Sequence, residues 1–320
     1  MTATSHASSP VPDAAPRSSL FVYLKLVIVA LCWGGTFIAG HIVAVEMPPM
    51  LAATCRFVVA VLMMFALVWK TEGRIPRLTR QQFLQTAALG ATGVLAYNAF
   101  FFQALSAMPA GRTALFVSLN PVMTALLLAV LFSERLGLRK WAGIALAFTG
   151  AAIIIARGDL LGAARDLSSA LGKGELFMLS AVLSWATYTI IGRSAMKTLS
   201  PLVSTSYASL WGLLMLAALA VPELAGFDWA HFTWPVAGAL LYIAVFGTVV
   251  GFIWYYEGVK RIGPSRAAIF TNLVPVFGVL LSALLLAEPL TLSMVTGGLL
   301  AVLGVTIMNT TGGARGKRGK

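Results

Sequence analysis

The side chains that most often do chemistry are sparse in this sequence and are not grouped as a reaction centre requires. Its two cysteines, Cys32 and Cys55, fall within apolar runs, and its three histidines, His6, His41 and His231, are placed in the tail and in loops. Metal sites and nucleophile–base pairs need such residues close together. We therefore expect no metal, no cofactor and no enzymatic activity.

Arg56 is the only formal charge clearly within an apolar run, roughly 10 Å from one end if the run starts at Met50 and is helical. Such a charge could capture a carboxylate or phosphate, or it could make a fixed structural contact with backbone carbonyls. Glu134, Glu257 and Glu288 fall at the ends of apolar runs, where we expect carboxylates to stay solvated.

Aromatic and amide side chains in other apolar runs could bind a small molecule. Trp33 and Trp185 each lie deep within a run, Trp33 roughly 18 Å along its helix, although Trp prefers a membrane interface. They could form two walls around a substrate, or they could fill a helix junction. The polar side chains could bind substrate or bond helix to helix. These polar residues are Tyr97, Asn98, Asn120, Tyr188, Tyr255 and Asn272.

Composition identifies the elements that must position these residues. Of 320 residues, 59% are hydrophobic and only 11% are charged, whereas a soluble chain would be about 25% charged. This excludes an ordinary soluble enzyme, a disulfide-stapled secreted domain and a disordered protein. A polytopic membrane protein remains, with lipid as the solvent of its outer surface.

Ten apolar runs are long enough to cross a bilayer, and backbone in lipid must satisfy its own hydrogen bonds, so each run is predicted to be a helix. The fold class is therefore all-α, and residues 1–19 are expected to be a disordered cytoplasmic tail. The runs are Leu20–Val43, Met50–Trp69, Phe83–Leu105, Thr113–Phe132, Trp141–Ala156, Leu176–Gly192, Leu202–Val221, Pro235–Tyr256, Ala267–Leu286 and Leu292–Met308.

The basic residues predict the orientation. Most of the 23 Lys and Arg residues fall in the tails and alternate connections that share one side, and such residues concentrate on the cytoplasmic side. Both termini are therefore placed in the cytoplasm. The net charge of +12 suits anionic lipid headgroups, and bases scattered among short loops argue against a nucleic-acid partner.

The chain is a duplicated half. An offset of 154 superposes Pro121 on Pro275 and Glu134 on Glu288, and an offset of 152 superposes Trp33 on Trp185. The copies span residues 20–157 and 173–310, with a periplasmic linker at 158–172 and a basic cytoplasmic tail at 311–320. Because each copy has an odd number of spans, the second must be inverted, an arrangement typical of secondary transporters.

Small residues recur at equivalent places in the fifth and tenth spans. Gly143 and Gly150 of the first copy correspond to Gly297 and Gly304 of the second. Small-residue faces let helices approach closely. We expect these two spans to pack together or to support a dimer contact, so the protein would be a monomer or a homodimer.

The duplicated pattern resembles the EamA-type members of the drug/metabolite transporter superfamily. In the first copy the resemblance rests on Trp33-Gly34-Gly35-Thr36-Phe37, Pro49 followed by Arg56-Phe57, and Pro121; in the second it rests on Trp185 and Pro275. It implies an inner-membrane carrier, commonly an exporter of amino acids or related metabolites. Its cavity would be lined by spans one, three, four, six, eight and nine. Thr36 and Phe37 join the predicted substrate-binding residues on this ground.

The leading functional hypothesis is a secondary transporter of the inner membrane that exports small metabolites by alternating access. A multidrug carrier of lipophilic cations requires a carboxylate deep in the membrane. The sequence places no carboxylate at such a depth, which favours neutral or zwitterionic cargo. The alternatives are an intramembrane enzyme acting on lipid-linked substrates, or a channel. Its expected partners are a small-molecule substrate and the lipid bilayer.

Overall fold

The computed structural model describes residues 16–133, 136–159 and 171–309, and within these ranges the regular structure is helical. Ten helices are long and apolar enough to cross a membrane, which confirms the predicted number. They are α1 (Leu20–Ala44), α2 (Pro49–Glu72), α3 (Arg80–Ala107), α4 (Ala110–Phe132), α5 (Leu138–Ile155), α6 (Lys173–Ala195), α7 (Pro201–Gly226), α8 (Trp234–Ile262), α9 (Arg266–Leu285) and α10 (Leu292–Asn309).

Local sequence explains several of the helix ends. Proline occupies the first helical position of α2 and α7, where its missing N–H costs nothing, and Thr79 forms a capping box with Gln82 at the start of α3. Gly73 ends α2 at φ 69°, a left-handed conformation that glycine adopts without a Cβ clash.

Some predicted boundaries were wrong. The helix containing α1 begins at Pro16, so residues 16–19 of the expected disordered tail are helical; proline suits a first helical position. His41, predicted in a loop, lies in the last turn of α1. Helix α8 continues past Tyr256 to Ile262. Its last turn carries Lys260 and Arg261 and lies beyond the apolar run from which the boundary was predicted. The rest of the tail, Glu134, most of the linker and the C-terminal basic tail lie outside the described residues.

The helices pack with an approximate two-fold relation between the halves. Helix α1 packs against α8 and α9, and its counterpart α6 packs against the equivalent α3 and α4. Three pairs of equivalent helices also pack on each other: α2 with α7, α4 with α9, and α5 with α10. Each half therefore buries its faces mainly against the other half, as expected for two inverted five-helix repeats.

The contact between α5 and α10 is made by backbone on backbone. A Cβ added to Gly143 would lie 2.6 Å from the carbonyl oxygen of Gly304, and one added to Gly297 would lie 2.6 Å from that of Gly150. No side chain larger than hydrogen fits at these positions without a shift. The predicted packing of these two spans on each other is confirmed.

Four helices are irregular, at equivalent places in the two halves. Helix α3 contains a π-helical segment at Gly90–Ala96, and α8 contains one at Ile243–Val250. Helix α4 tightens to a 3-10 turn at Val117–Leu119, just before Pro121, and α9 breaks at Asn272, just before Pro275. Proline removes a backbone hydrogen bond and crowds the carbonyl four residues earlier, which accounts for both breaks.

Candidate functional site

Trp33 joins the two halves through a hydrogen bond to irregular backbone. Its indole Nε1–H donates to the carbonyl oxygen of Gly247 at 2.9 Å, within the π segment of α8. Its ring lies 5.4 Å from that of Tyr255 and 6.0 Å from that of Phe252. Gly251 makes this approach possible, because a Cβ there would lie 2.5 Å from the indole nitrogen. Trp33 is therefore held by α8 rather than by its own half.

Trp185 makes the corresponding aromatic contacts with the halves exchanged. Its ring centroid lies 5.1 Å from that of Tyr97 in α3 and 5.1 Å from that of Tyr188 in α6. Gly93, in the π segment of α3, contacts the Tyr188 ring so closely that a Cβ would overlap it. The predicted aromatic residues thus form two groups, one at the α1–α8 contact and one at the α3–α6 contact.

Arg56 connects three helices from both halves. Its Nη1 donates to Asn98 Oδ1 at 2.9 Å, and its Nη2 donates to Thr248 Oγ1 at 3.0 Å. Tyr97 lies near enough for an electrostatic interaction with the guanidinium. The fixed contact considered for this residue was backbone carbonyl, whereas its hydrogen-bond partners are side chains. We call Arg56, Asn98 and Thr248 the central polar cluster.

The partners of Arg56 are themselves held by their helices. Asn98 is 1% exposed, and its Nδ2 donates to the carbonyl oxygen of Val94 at 2.7 Å. Thr248 is 3% exposed, and its Oγ1 donates to Ile243 at 3.2 Å. Both carbonyls belong to the π segments, where irregular hydrogen bonding leaves acceptors for side chains. The central polar cluster is therefore pre-positioned by the same irregularity in both halves.

The remaining predicted residues divide between helix breaks and packing. Asn120 and Asn272 lie at the breaks of α4 and α9, and the buried Oδ1 of Asn120 has no hydrogen-bond donor among the described residues. Thr36 donates to the carbonyl oxygen of Trp33, and Phe37 is 3% exposed and packs edge-on to Phe101. Phe37 thus lies in the apolar core beside the site.

Tyr188 also reaches the second half's own helices. Both Tyr188 in α6 and Tyr256 in α8 interact with the hydroxyl of Thr205 in α7. Tyr255, the neighbour of Tyr256, contacts Trp33 instead, with ring centroids 5.4 Å apart. Tyr256 stacks on Phe252, with ring centroids 6.0 Å apart, and Phe252 contacts Trp33, so Tyr256 links the two aromatic groups.

Two ion pairs inside the helices were not predicted. Lys25 in α1 pairs with Glu257 in α8 at 2.6 Å, and Arg112 in α4 pairs with Glu175 in α6 at 2.8 Å. Arg56 is therefore not the only charge within a span. The feature of the sequence that could have indicated these ion pairs is the position of Lys25 and Arg112 at the edges of apolar runs. The sequence alone could not identify their partners, which are 232 and 63 residues away.

The two terminal carboxylates that the structure describes keep part of their exposure, but each also has a partner in the protein. Glu257 is bound by Lys25, and Glu288 accepts from the backbone N–H groups of Ala110 and Gly111 at 2.7 and 2.9 Å. A carboxylate at a helix N-terminus satisfies donors that have no partner within the helix. Glu288 therefore ties the α9–α10 connection to α4.

A cavity of about 310 Å³ lies at one end of the bundle rather than at the central polar cluster. Its lining includes Arg112, Arg157, Glu288 and Thr291 and contains none of the predicted substrate-binding residues. We place the candidate site at the two aromatic groups and the central polar cluster instead, because there the side chains of both halves converge and bond to irregular backbone.

Comparison with known sequences decides the family. The sequence model of the EamA-like transporter family matches this chain twice, over residues 20–156 and 172–310. The chain belongs to the EamA-like transporter family. An EamA-like protein with ten apolar helices is a multi-pass membrane protein. The family and the names of its relatives indicate a transporter rather than an enzyme.

Relatives of this EamA-like transporter match over almost its full length. It is 29% identical over 286 residues to the uncharacterized transporter YyaM of Bacillus subtilis, covering 89% of this chain and 92% of that protein. It is also 29% identical over 299 residues to a protein of Salmonella typhimurium named "Probable amino-acid metabolite efflux pump", covering 89% and 93% of the two chains.

A solved crystal structure shares the fold of this EamA-like transporter. The superposition gives a TM-score of 0.61 and covers 91% of this chain and 97% of the other. Because the two sequences are only 20% identical, this likeness concerns the fold alone.

Proposed function

We propose that this EamA-like protein is a secondary transporter of the bacterial inner membrane that exports small metabolites, such as amino acids or related zwitterionic compounds, by alternating access. The observation that carries the proposal is the exchange of contacts between the halves at the site. Trp33 of the first half contacts α8 of the second, and Trp185 of the second contacts α3 of the first. Rocking of one half against the other would therefore change the shape of the site.

The two internal ion pairs support alternating access. Because the second half is inverted, the beginnings of the equivalent helices α1 and α6 lie at opposite ends of the bundle. Lys25 near the beginning of α1 pairs with Glu257 in α8, and Glu175 at the beginning of α6 pairs with Arg112 in α4. Each end of the bundle thus has one ion pair between helices of the proposed cavity, which could open and close in turn.

Two observations support an amino acid or a related metabolite as the transported molecule of this protein. Its relative in Salmonella typhimurium is named as a probable amino-acid metabolite efflux pump. The site itself combines aromatic rings with neutral hydrogen-bonding groups, Asn98 and Thr248, around one arginine. Such a lining fits a small polar molecule with an apolar body.

The test is transport by the full-length protein in liposomes, with an extracellular metabolite screen in cells to find the cargo. We expect saturable uptake and counterflow of at least one amino acid or related metabolite. Trp33→Ala and Trp185→Ala should abolish it, because each removes a ring that contacts the other half. Trp234→Ala, at a tryptophan that is 91% exposed, is the matched control and should transport normally.

Three results would contradict the proposal. Linear flux without saturation would indicate a channel, and saturable transport retained in both tryptophan variants would show that the rings only pack. Orientation is tested separately with reporter tags in the connections near residues 75 and 227. The tags should report opposite faces, with residue 75 in the cytoplasm, and tags on one face would refute the inverted topology that alternating access requires.

A further inference from the structure

Arg56 carries a charge that no described residue neutralises. Its hydrogen-bond partners, Asn98 and Thr248, are both neutral, and no carboxylate of the described ranges lies within 4.0 Å of its guanidinium. Charged side chains inside a membrane normally pair with an opposite charge. One bound anion would therefore neutralise the charge of Arg56.

Arg112 shows how this chain satisfies a structural arginine. It is 8% exposed, it pairs with the carboxylate of Glu175 at 2.8 Å, and it donates to the carbonyl oxygen of Ile155 at 3.0 Å. Both arginines have an Nε–H without an acceptor among the described residues, so unused donors do not distinguish them. The difference is the counter-charge, which Arg112 has and Arg56 lacks.

Arg56 is also accessible and pre-positioned. It contacts α3 and α8, which belong to different halves, and the residue is half-buried rather than fully enclosed. A guanidinium has five N–H donors; the Nε–H is buried, and the two hydrogen bonds leave one further N–H on each Nη for a ligand. A planar oxyanion could accept from this free edge in the two-bond geometry that arginine favours.

The surroundings limit which oxyanion fits. One uncompensated cation matches a single negative charge, which a carboxylate has and a phosphate monoester exceeds at neutral pH. Tyr97, which directly precedes Asn98 in α3 and interacts electrostatically with Arg56, contacts the Trp185 ring with centroids 5.1 Å apart. A ligand whose charged end meets Arg56 would therefore meet aromatic surface with its other end.

We propose that Arg56 binds the carboxylate of the transported molecule, so that the substrates of this protein are monocarboxylates with an apolar or aromatic body, amino acids among them. This inference rests on the proposed transport function. Asn98 and Thr248 orient the guanidinium, and the substrate supplies the missing counter-charge. Lipophilic cations and the amides of the same acids are excluded, because they would leave Arg56 unneutralised.

The experiment compares acids with their own amides. The full-length protein in lipid nanodiscs is titrated with benzoate, 3-phenylpropionate and octanoate, with the three matched amides, and with phenyl phosphate, and the thermal unfolding midpoint is recorded. We expect at least one acid to raise the midpoint while its amide and phenyl phosphate do not. If no acid exceeds its amide, or if phenyl phosphate exceeds the acids, the carboxylate site is refuted.

Variants then locate the effect. Arg56→Gln should abolish the response to the acid, and Arg56→Lys should weaken binding about tenfold, because an ammonium loses one charge-assisted hydrogen bond of the two. Arg157→Gln removes a charge elsewhere and should respond as the unmodified protein does. An unchanged response in a folded Arg56→Gln variant, checked by size exclusion and circular dichroism, would overturn the proposal. The comparison of acid with amide uses the unmodified protein. It therefore tests the proposal even if the Arg56→Gln variant misfolds.

Counterflow in liposomes separates this inference from the transport function. Saturable flux of the amides that persists in Arg56→Gln would refute the carboxylate site and leave transport standing. Binding of the acid that depends on Arg56, without saturable flux of any compound, would refute transport and leave the site standing.

Discussion

Breaking the Arg112–Glu175 ion pair should destabilise the protein more than removing any exposed charge. The two side chains are 9% and 3% exposed, and their nearest atoms are 2.8 Å apart. Glu175→Gln replaces the carboxylate by a neutral amide and leaves the buried charge of Arg112 without a counter-charge. Loss of one partner of a buried pair costs about 3–5 kcal/mol. We take about 3 kcal/mol here, because the Ile155 carbonyl and the new amide oxygen retain part of the interaction.

The assay is reversible unfolding of the full-length protein in mixed micelles at increasing denaturing detergent, followed by circular dichroism. Glu46→Gln is the matched control, because Glu46 is 41% exposed and pairs with His231, itself 57% exposed, so this variant should lose little stability. The double variant Arg112→Met with Glu175→Leu should recover most of the loss, since no charge is left unpaired. A Glu175→Gln variant as stable as Glu46→Gln would refute the reasoning.

Three further predictions follow from other contacts. Gly297→Leu should destabilise the bundle by about 1–3 kcal/mol in the same unfolding assay, because its side chain would meet the backbone of Gly150; equal stability would contradict it. Glu288→Gln should cost about 1 kcal/mol, as loss of a helix N-cap does, and an unchanged unfolding curve would disprove the cap. Glu46 raises the pKa of His231 above its ordinary 6.5 through a hydrogen bond. The stabilising contribution of the Glu46–His231 contact is therefore complete below pH 6.5 and is lost as the pH rises through the raised pKa of His231. The thermal unfolding midpoints of the unmodified protein and of His231→Gln should converge at alkaline pH.

The helices and their duplication could be predicted from the sequence because membrane helices follow from local composition. A run of about 20 apolar residues is sufficient to define a span. Equivalent residues at offsets of 152 to 154, such as Trp33 with Trp185 and Pro121 with Pro275, then require two copies of an odd number of spans and hence an inversion. None of this depends on knowing which helices touch.

The contacts of the site could not be predicted because they depend on helix packing. Arg56 was identified as unusual from its position in an apolar run, but its partners Asn98 and Thr248 are 42 and 192 residues away. The π segments that hold those partners have no distinct composition, so the acceptors they provide were not foreseen. Likewise, Glu288 was recognised as terminal, but its role as a cap requires the beginning of α4 to be next to it.

The α5–α10 contact has a mechanical consequence. At Gly143, Gly150, Gly297 and Gly304 the two helices meet through main-chain atoms. The side chains of Ile154 and Met308 also lie against Gly297 and Gly143, so the helices fit closely here and would lose these contacts if they separated or slid. We expect this seam to act as the axis of rotation about which the two repeats swing, keeping its own contacts while the distant parts of the bundle rearrange.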